Sequence, residues 1–174
     1  MIDLVYFGYL ERSSEKILDV SSSVTYIETR HNKIVVDTSS KSKRNHLISY
    51  FNNKGVKLDE IDYVINTHFH FDHVSNNELF KNALIINFSN ISKLNDPEIK
   101  IIPTPGHTSD SISVVYQDYI ISGDASPLKN NILKELPPKV HTDFELALNS
   151  IKHIKSLGKN IITGHDGILY KDEY

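Results

Sequence analysis

Apolar positions along the chain change period several times, and each change marks an element. In the front half, short runs dense in β-branched and aromatic residues predict strands: DLVYF (3–7), VTYIET (24–29) and KIVVDT (33–38). Arg30-His31-Asn32 joins the last two as a hairpin turn. The period then lengthens. Leu47, Ile48 and Phe51 fall at helical spacing within 40–55, with Ser40 placed to cap the start and Gly55 to end it. A strand from Tyr63 to Thr67 follows, then a short helix over 74–81 and a strand over 83–88.

The second half repeats this grammar. A strand over 98–107 is closed by Pro103 and Pro105, and SISVVY (111–116) pairs with YIISGD (119–124) across Gln117-Asp118. The clearest helix is 142–158. Phe144, Leu146, Leu148, Ile151 and Ile154 form its apolar face, Thr142 and Glu145 have capping-box spacing, and Gly158 stops it. NIITGH (160–165) forms a last strand. No repeat, low-complexity linker or composition shift interrupts the chain, so one domain over 1–174 is the expectation. A chain of 174 residues suits one core, burying roughly 70% of the unfolded surface.

Composition narrows the function classes. A net charge of -3 and a single basic cluster, Lys41, Lys43 and Arg44, argue against a surface built to grip nucleic acid; that cluster reads as the solvated start of a helix. There are no cysteines, so disulfides are excluded and any metal site must use nitrogen and oxygen donors. The N-terminal apolar run carries Asp3 and lacks a basic lead, so it reads as a strand and not as a signal peptide. No apolar segment approaches the roughly 20 residues that span a bilayer. A cytoplasmic chain with no membrane partner is the expectation.

One stretch carries the chemistry. HFHFDH places His68, His70, Asp72 and His73 within six positions. Extended backbone alternates side chains, so 68, 70 and 72 are expected to share one side. Histidines this close repel when protonated, and a metal removes the conflict by requiring the neutral form. Imidazoles and carboxylates suit Zn²⁺, Fe²⁺ or Mn²⁺. Three further strands end in the same residue types, at His107, Asp124 and His165. Strand ends open onto loops at one rim, where a rigid scaffold can hold reactive groups.

These residues resemble a known family. HFHFDH is similar to the HxHxDH signature of the metallo-β-lactamase fold superfamily. PTPGHT (103–108), SGD (122–124) and TGHD (163–166) resemble the segments holding its later ligands, and KIVVDT resembles its early strand ending in a structural aspartate, Asp37. The likeness runs from about residue 24 to the end. It implies an α+β fold, a four-layer αββα sandwich with metals at one edge. It also implies two divalent metal ions, zinc first with iron or manganese as alternatives. His68, His70 and His107 would hold one; Asp72, His73 and His165 would hold the other; Asp124 would bridge. Two metals roughly 3.5–4 Å apart give hydroxide near pH 7.

The expected activity is therefore metal-dependent hydrolysis. A metal-bridging hydroxide, oriented by Asp72 as the catalytic residue, would cleave a small anionic ester, thioester, lactone or related acyl substrate. A phosphodiesterase or ribonuclease with the same centre is an alternative, although the charge balance offers nucleic acid no cradle. An iron-dependent oxidoreductase acting on a sulfur compound is another. Family members often form homodimers, and no apolar stripe in the sequence marks that interface.

The remaining candidates receive structural readings. Phe69 and Phe71 are expected to pack beneath the metal loop, with one of them lining an apolar substrate pocket as the alternative. His31 is placed in a turn, with His46 and His153 solvated on helices. His141 precedes a helix, within possible reach of the site. Asp110 and Asp166 are read as loop stabilisers, and Lys129 as an exposed loop lysine that could meet an anionic substrate.

Overall fold

Side-chain alternation across each strand decides which layer a residue joins. The computed structural model describes residues 1–14 and 16–174. Strands β1 (Ile2–Arg12), β2 (Ile17–Glu28), β3 (Lys33–Val36), β4 (Tyr63–Ile65) and β5 (Leu84–Ile86) form one sheet in sequential order. The first three run antiparallel, and β3, β4 and β5 run parallel. Strands β6 (Ile99–Pro103), β7 (Ile112–Tyr116), β8 (Tyr119–Gly123), β9 (Asn160–Thr163) and β10 (Ile168–Leu169) form the second sheet, also in sequential order, with β8 and β9 parallel.

On β3, Ile34 and Val36 face the second sheet while Val35 faces away from it. Ile121 and Ile162 meet that same central layer from β8 and β9; their neighbours Ile120 and Ile161 point outward. Helix α1 (Arg44–Lys54) covers the outer face of the first sheet through Leu47 and Phe51. Helices α3 (Lys129–Leu133) and α4 (Phe144–Ser156) cover the second sheet through Ile132, Ile151 and Ile154. The result is the expected αββα sandwich. Phe51 is fully buried and makes edge-on contacts with Tyr26, Tyr50 and Phe80 at ring separations of 5.5, 5.2 and 5.5 Å. Pairs of this geometry contribute about 0.5–1.5 kcal/mol each beyond burial.

Several boundaries differ from the periodicity. The first hairpin is much longer than DLVYF and VTYIET suggest, extending to Arg12 and resuming at Ile17. Its outer half alternates polar and apolar residues that lie partly in solvent, so hydrophobic density understates it. The helix expected over 40–55 is a 3-10 turn over 41–43 followed by α1, and Ser40 makes no capping bond. Gly55 does end α1 in the left-handed conformation, φ 71°. Asp143, not Thr142, caps α4, accepting the Leu146 N–H at 2.9 Å. The segment 74–81 contains only a 3-10 turn over 77–79, because the helix falls earlier, at α2 (Phe71–Val74). After 160–165 the chain doubles back into β10. No described helix is long and apolar enough to cross a membrane.

Candidate metal centre

Parallel strands β3 and β4 end side by side, and the segments that follow them build the site. Asp37 directly follows β3 with φ 55°, in the left-handed region. Its buried carboxylate accepts hydrogen bonds from Thr67 N–H at 2.8 Å, from Thr67 Oγ1 at 2.7 Å and from His73 Nδ1 at 2.7 Å. Thr67 spends its proton on Asp37 and in turn accepts from His68 Nδ1 at 3.2 Å. One carboxylate thereby fixes two imidazoles, each with Nδ1 occupied and Nε2 presented to the rim.

The alternation expected through position 72 stops earlier. His70 is the last extended residue, with φ -65° and ψ 146°. The single turn of α2 then re-aims Asp72 and His73 toward a different point. Two groups result. Ligand-capable atoms of His68, His70, His107 and Asp124 lie within 4.8 Å of one another, as do those of Asp72, His73 and His165. Asp124 faces both: Oδ2 is 3.5 Å from His107 Nε2, while Oδ1 is 3.0 Å from His165 Nε2 and 3.4 Å from His73 Nε2. His107 and His165 are oriented by backbone carbonyls, through Nδ1 to Val140 O at 2.7 Å and to Ser21 O at 3.0 Å. His70 alone turns Nδ1 inward, 3.0 Å from His107 Nε2.

Glycine makes this convergence sterically feasible. A Cβ on Gly164 would sit 2.2 Å from Asp124 Oδ1, and one on Gly123, where φ is 50°, would sit 2.4 Å from Thr67 Oγ1. Both positions admit no side chain.

Burial and mutual charge set the protonation. Burial, reinforced by cationic His73, holds the His68 imidazole far below its ordinary value. Burial also lowers His107, against the pull of Asp124. For His73 burial acts the same way, but Asp37 and Asp124 outweigh it and raise the ring well above its usual range. His165 is raised too, because Asp124 overcomes its burial. Asp124 is held well below the carboxylate range by His165 and His73, despite burial. The pattern is that of a site whose carboxylates demand positive charge.

The donor set fits a divalent cation. His68 Nε2 and His73 Nε2 are shielded from solvent and make no hydrogen bond among the described residues, and buried Asp124 Oδ1 has only the ion-pair approaches of His165 and His73. Leaving a buried polar atom unsatisfied costs about 1–3 kcal/mol. His68 Nε2 and His73 Nε2, one in each group, are explained by cations that the two groups would hold, and cation binding would displace the protons on His73 and His165.

The other candidates lie elsewhere. Phe69 and Phe71 do not pack beneath the loop: they are 54% and 64% exposed, and Phe71 lines a cavity over the site. The helical turn at 71–74 gives the inward positions to Asp72 and His73 and turns Phe71 out. His141 donates from Nδ1 to Pro138 O at 2.7 Å and joins neither group. His46 is not simply solvated, since Nε2 meets Val5 O at 2.9 Å. Asp110 accepts from Thr108 Oγ1 and Asp166 from the Lys129 N–H, as loop stabilisers would. Lys129 opens α3 and does not line the cavity; Lys139, which carries no sequence signal, does. Thr67 was also not singled out by sequence, although its place between Asp37 and His68 is legible once the strand ends are paired.

Similarity to known proteins agrees with this geometry. Residues 17–88 match the profile of the Metallo-beta-lactamase superfamily. A Methanocaldococcus jannaschii protein named as a probable metallo-hydrolase is 50% identical over 183 residues, covering 99% of this chain and 90% of its own length. The chain belongs to the metallo-β-lactamase superfamily. This superfamily member is a metal-dependent hydrolase. It is also 27% identical to an N-acyl homoserine lactonase of Bacillus thuringiensis over 160 residues, 72% of this chain and 64% of that protein. A solved quorum-quenching N-acyl homoserine lactone lactonase shares the fold, with a TM-score of 0.70, 22% identity, and coverage of 95% of this chain and 90% of that one.

Proposed function

We propose that this superfamily member hydrolyses a small acyl ester, thioester or lactone at a two-cation centre. His68, His70 and His107 would hold one cation, Asp72, His73 and His165 the other, and Asp124 would serve both. The observation that carries the reading is the double facing of Asp124, one carboxylate oxygen toward each group of ligands. Zinc suits a set of five imidazoles and two carboxylates without thiolates. Such a cation pair supplies hydroxide at neutral pH and polarises the scissile carbonyl.

The chain's own residues do the rest. Asp72 is buried and lies 3.6 and 3.7 Å from the Nε2 atoms of His165 and His73, on the floor of the cavity. There it orients the attacking water and takes its proton. The water oxygen bonds to the acyl carbon, the acyl–oxygen or acyl–sulfur bond breaks, and the proton passes to the leaving atom. A cavity of about 260 Å³ opens over the centre, walled by Leu10, Ile17, Val20, Phe71 and Val140. Apolar walls exclude bulk water and accept a hydrocarbon acyl group. That volume suits a small molecule rather than a folded RNA, and two of the groups on its floor are carboxylates.

The test uses zinc-loaded protein with an aliphatic lactone, a thioester, a 4-nitrophenyl ester and bis(4-nitrophenyl) phosphate. Turnover of acyl compounds that stops on chelation and returns with zinc supports the reading. Turnover of the phosphodiester alone, or native protein holding iron and no zinc, overturns it.

A further inference from the structure

The long first hairpin does more than extend a sheet. Beyond its paired core it projects as an arm in which Leu10 opposes Val20 and Arg12 opposes Ile17. Period-two alternation puts Leu10 and Arg12 on one face, and all four residues line the cavity over the metal centre. The opposite face carries Tyr9 and Glu11, which hydrogen-bond to each other at 3.0 Å. The arm thus sets one cation, Arg12, among apolar side chains on the cavity wall. The segment Pro138–Lys139–Val140 contributes a second, Lys139, to the same cavity.

Arg12 is conspicuously unmatched. Its Nε is shielded from solvent and has no hydrogen-bond partner among the described residues. The ion pairs of the described lysines and arginines include neither Arg12 nor Lys139. The acidic residues that line the cavity, Asp72 and Asp124, are engaged with the histidines of the centre. A half-buried guanidinium with an orphaned N–H and apolar neighbours is costly unless a ligand completes it. Its fork matches a carboxylate bidentately.

We infer that Arg12, aided by Lys139, is a specificity-determining subsite for a carboxylate at the far end of the substrate's apolar body, so that the preferred substrate is an acyl compound ending in a carboxylate. The inference rests on the hydrolase reading above. It differs from attraction by the metal charge alone, because the anion it invokes lies away from the scissile bond. Leu10, Val20 and Ile17 hold the hydrocarbon, and Arg12 fixes its length and end group. Lys139 is exposed and solvent-screened, so it contributes less than Arg12.

The experiment compares two esters of equal chain length, mono-4-nitrophenyl adipate and 4-nitrophenyl hexanoate, with zinc-loaded wild type, Arg12→Gln, Arg12→Lys and Arg12→Glu. Wild type is expected to favour the adipate ester in kcat/KM. Arg12→Gln should reduce that preference by about tenfold or more, mainly through KM; Arg12→Lys should restore part of it and Arg12→Glu invert it. Calorimetry with adipate and hexanoate gives a readout independent of turnover: adipate binding should weaken in Arg12→Gln by a similar factor, and hexanoate binding by much less. An ester preference and an adipate affinity that are the same in wild type and Arg12→Gln would overturn the inference. If neither ester is turned over while adipate binding still depends on Arg12, the hydrolase reading fails and the anion subsite stands.

Discussion

Asp37 does not line the cavity over the centre, yet its replacement by asparagine should weaken metal binding sharply. The carboxylate receives three donors: Thr67 N–H on Oδ1, and Thr67 Oγ1 and His73 Nδ1 on Oδ2. An asparagine amide offers one acceptor and one donor. With its oxygen toward His73 and Thr67 Oγ1, its NH₂ meets the Thr67 N–H; flipped, its NH₂ meets the other two donors. Every orientation therefore sets donor against donor. Backbone strain does not confuse the result, since asparagine tolerates the φ of 55° at this position better than most residues. A lost bond to a charged acceptor costs about 1.5–3 kcal/mol. At about 1.4 kcal/mol per decade, the zinc dissociation constant at the His73 site should rise about 10- to 100-fold, the range typical of residues that orient metal-bound histidines. Competition with a chelator of known affinity measures it, with circular dichroism confirming the fold. Unchanged affinity and stoichiometry in a folded Asp37→Asn variant would refute the claim that this carboxylate orients His73 and, through Thr67, His68.

Other predictions follow from the same geometry. Gly164→Ala introduces a Cβ 2.2 Å from Asp124 Oδ1, so activity should fall about 100-fold while the far-ultraviolet spectrum is retained; steady-state assays on zinc-loaded protein check this. Asp96 is buried and accepts from Thr29 Oγ1 at 2.6 Å and Asn32 Nδ2 at 2.7 Å. Burial raises its carboxyl, but those bonds outweigh it and hold the group below the ordinary value. A depressed folded value stabilises the protein above the unfolded value near 3.9, and that contribution fades as pH falls through the folded one. Asp96→Asn should therefore be less stable than wild type at pH 7, and urea titrations should show the gap closing below about pH 4.

The sequence announced the chemistry more clearly than the surroundings. His68, His70, Asp72 and His73 are visible because four ligand-type residues crowd one motif, and His107, Asp124 and His165 because each follows a strand and a glycine. The run Ile34, Val35 and Val36 is legible as a strand, and the structure covers both its faces, but the two-sheet sandwich itself came from the family resemblance of the motifs and not from periodicity. The specificity wall was not legible. Leu10, Arg12, Ile17 and Val20 carry a weak alternating pattern, and their role depends on how far the hairpin arm projects over the centre. The outward turn of Phe71 has a related cause: whether an aromatic beside a ligand points in or out depends on where extended backbone becomes helix, which happens at position 71. The capping of α4 by Asp143 rather than Thr142 is a one-residue shift between adjacent competent caps.

The most direct test of the central claim is anomalous diffraction from crystals of zinc-loaded protein, collected on both sides of the zinc edge. The account predicts two peaks, one enclosed by His68, His70 and His107, the other by Asp72, His73 and His165, with the Asp124 carboxylate between them. A single peak, or His107 or His165 turned away from the metals, would contradict it.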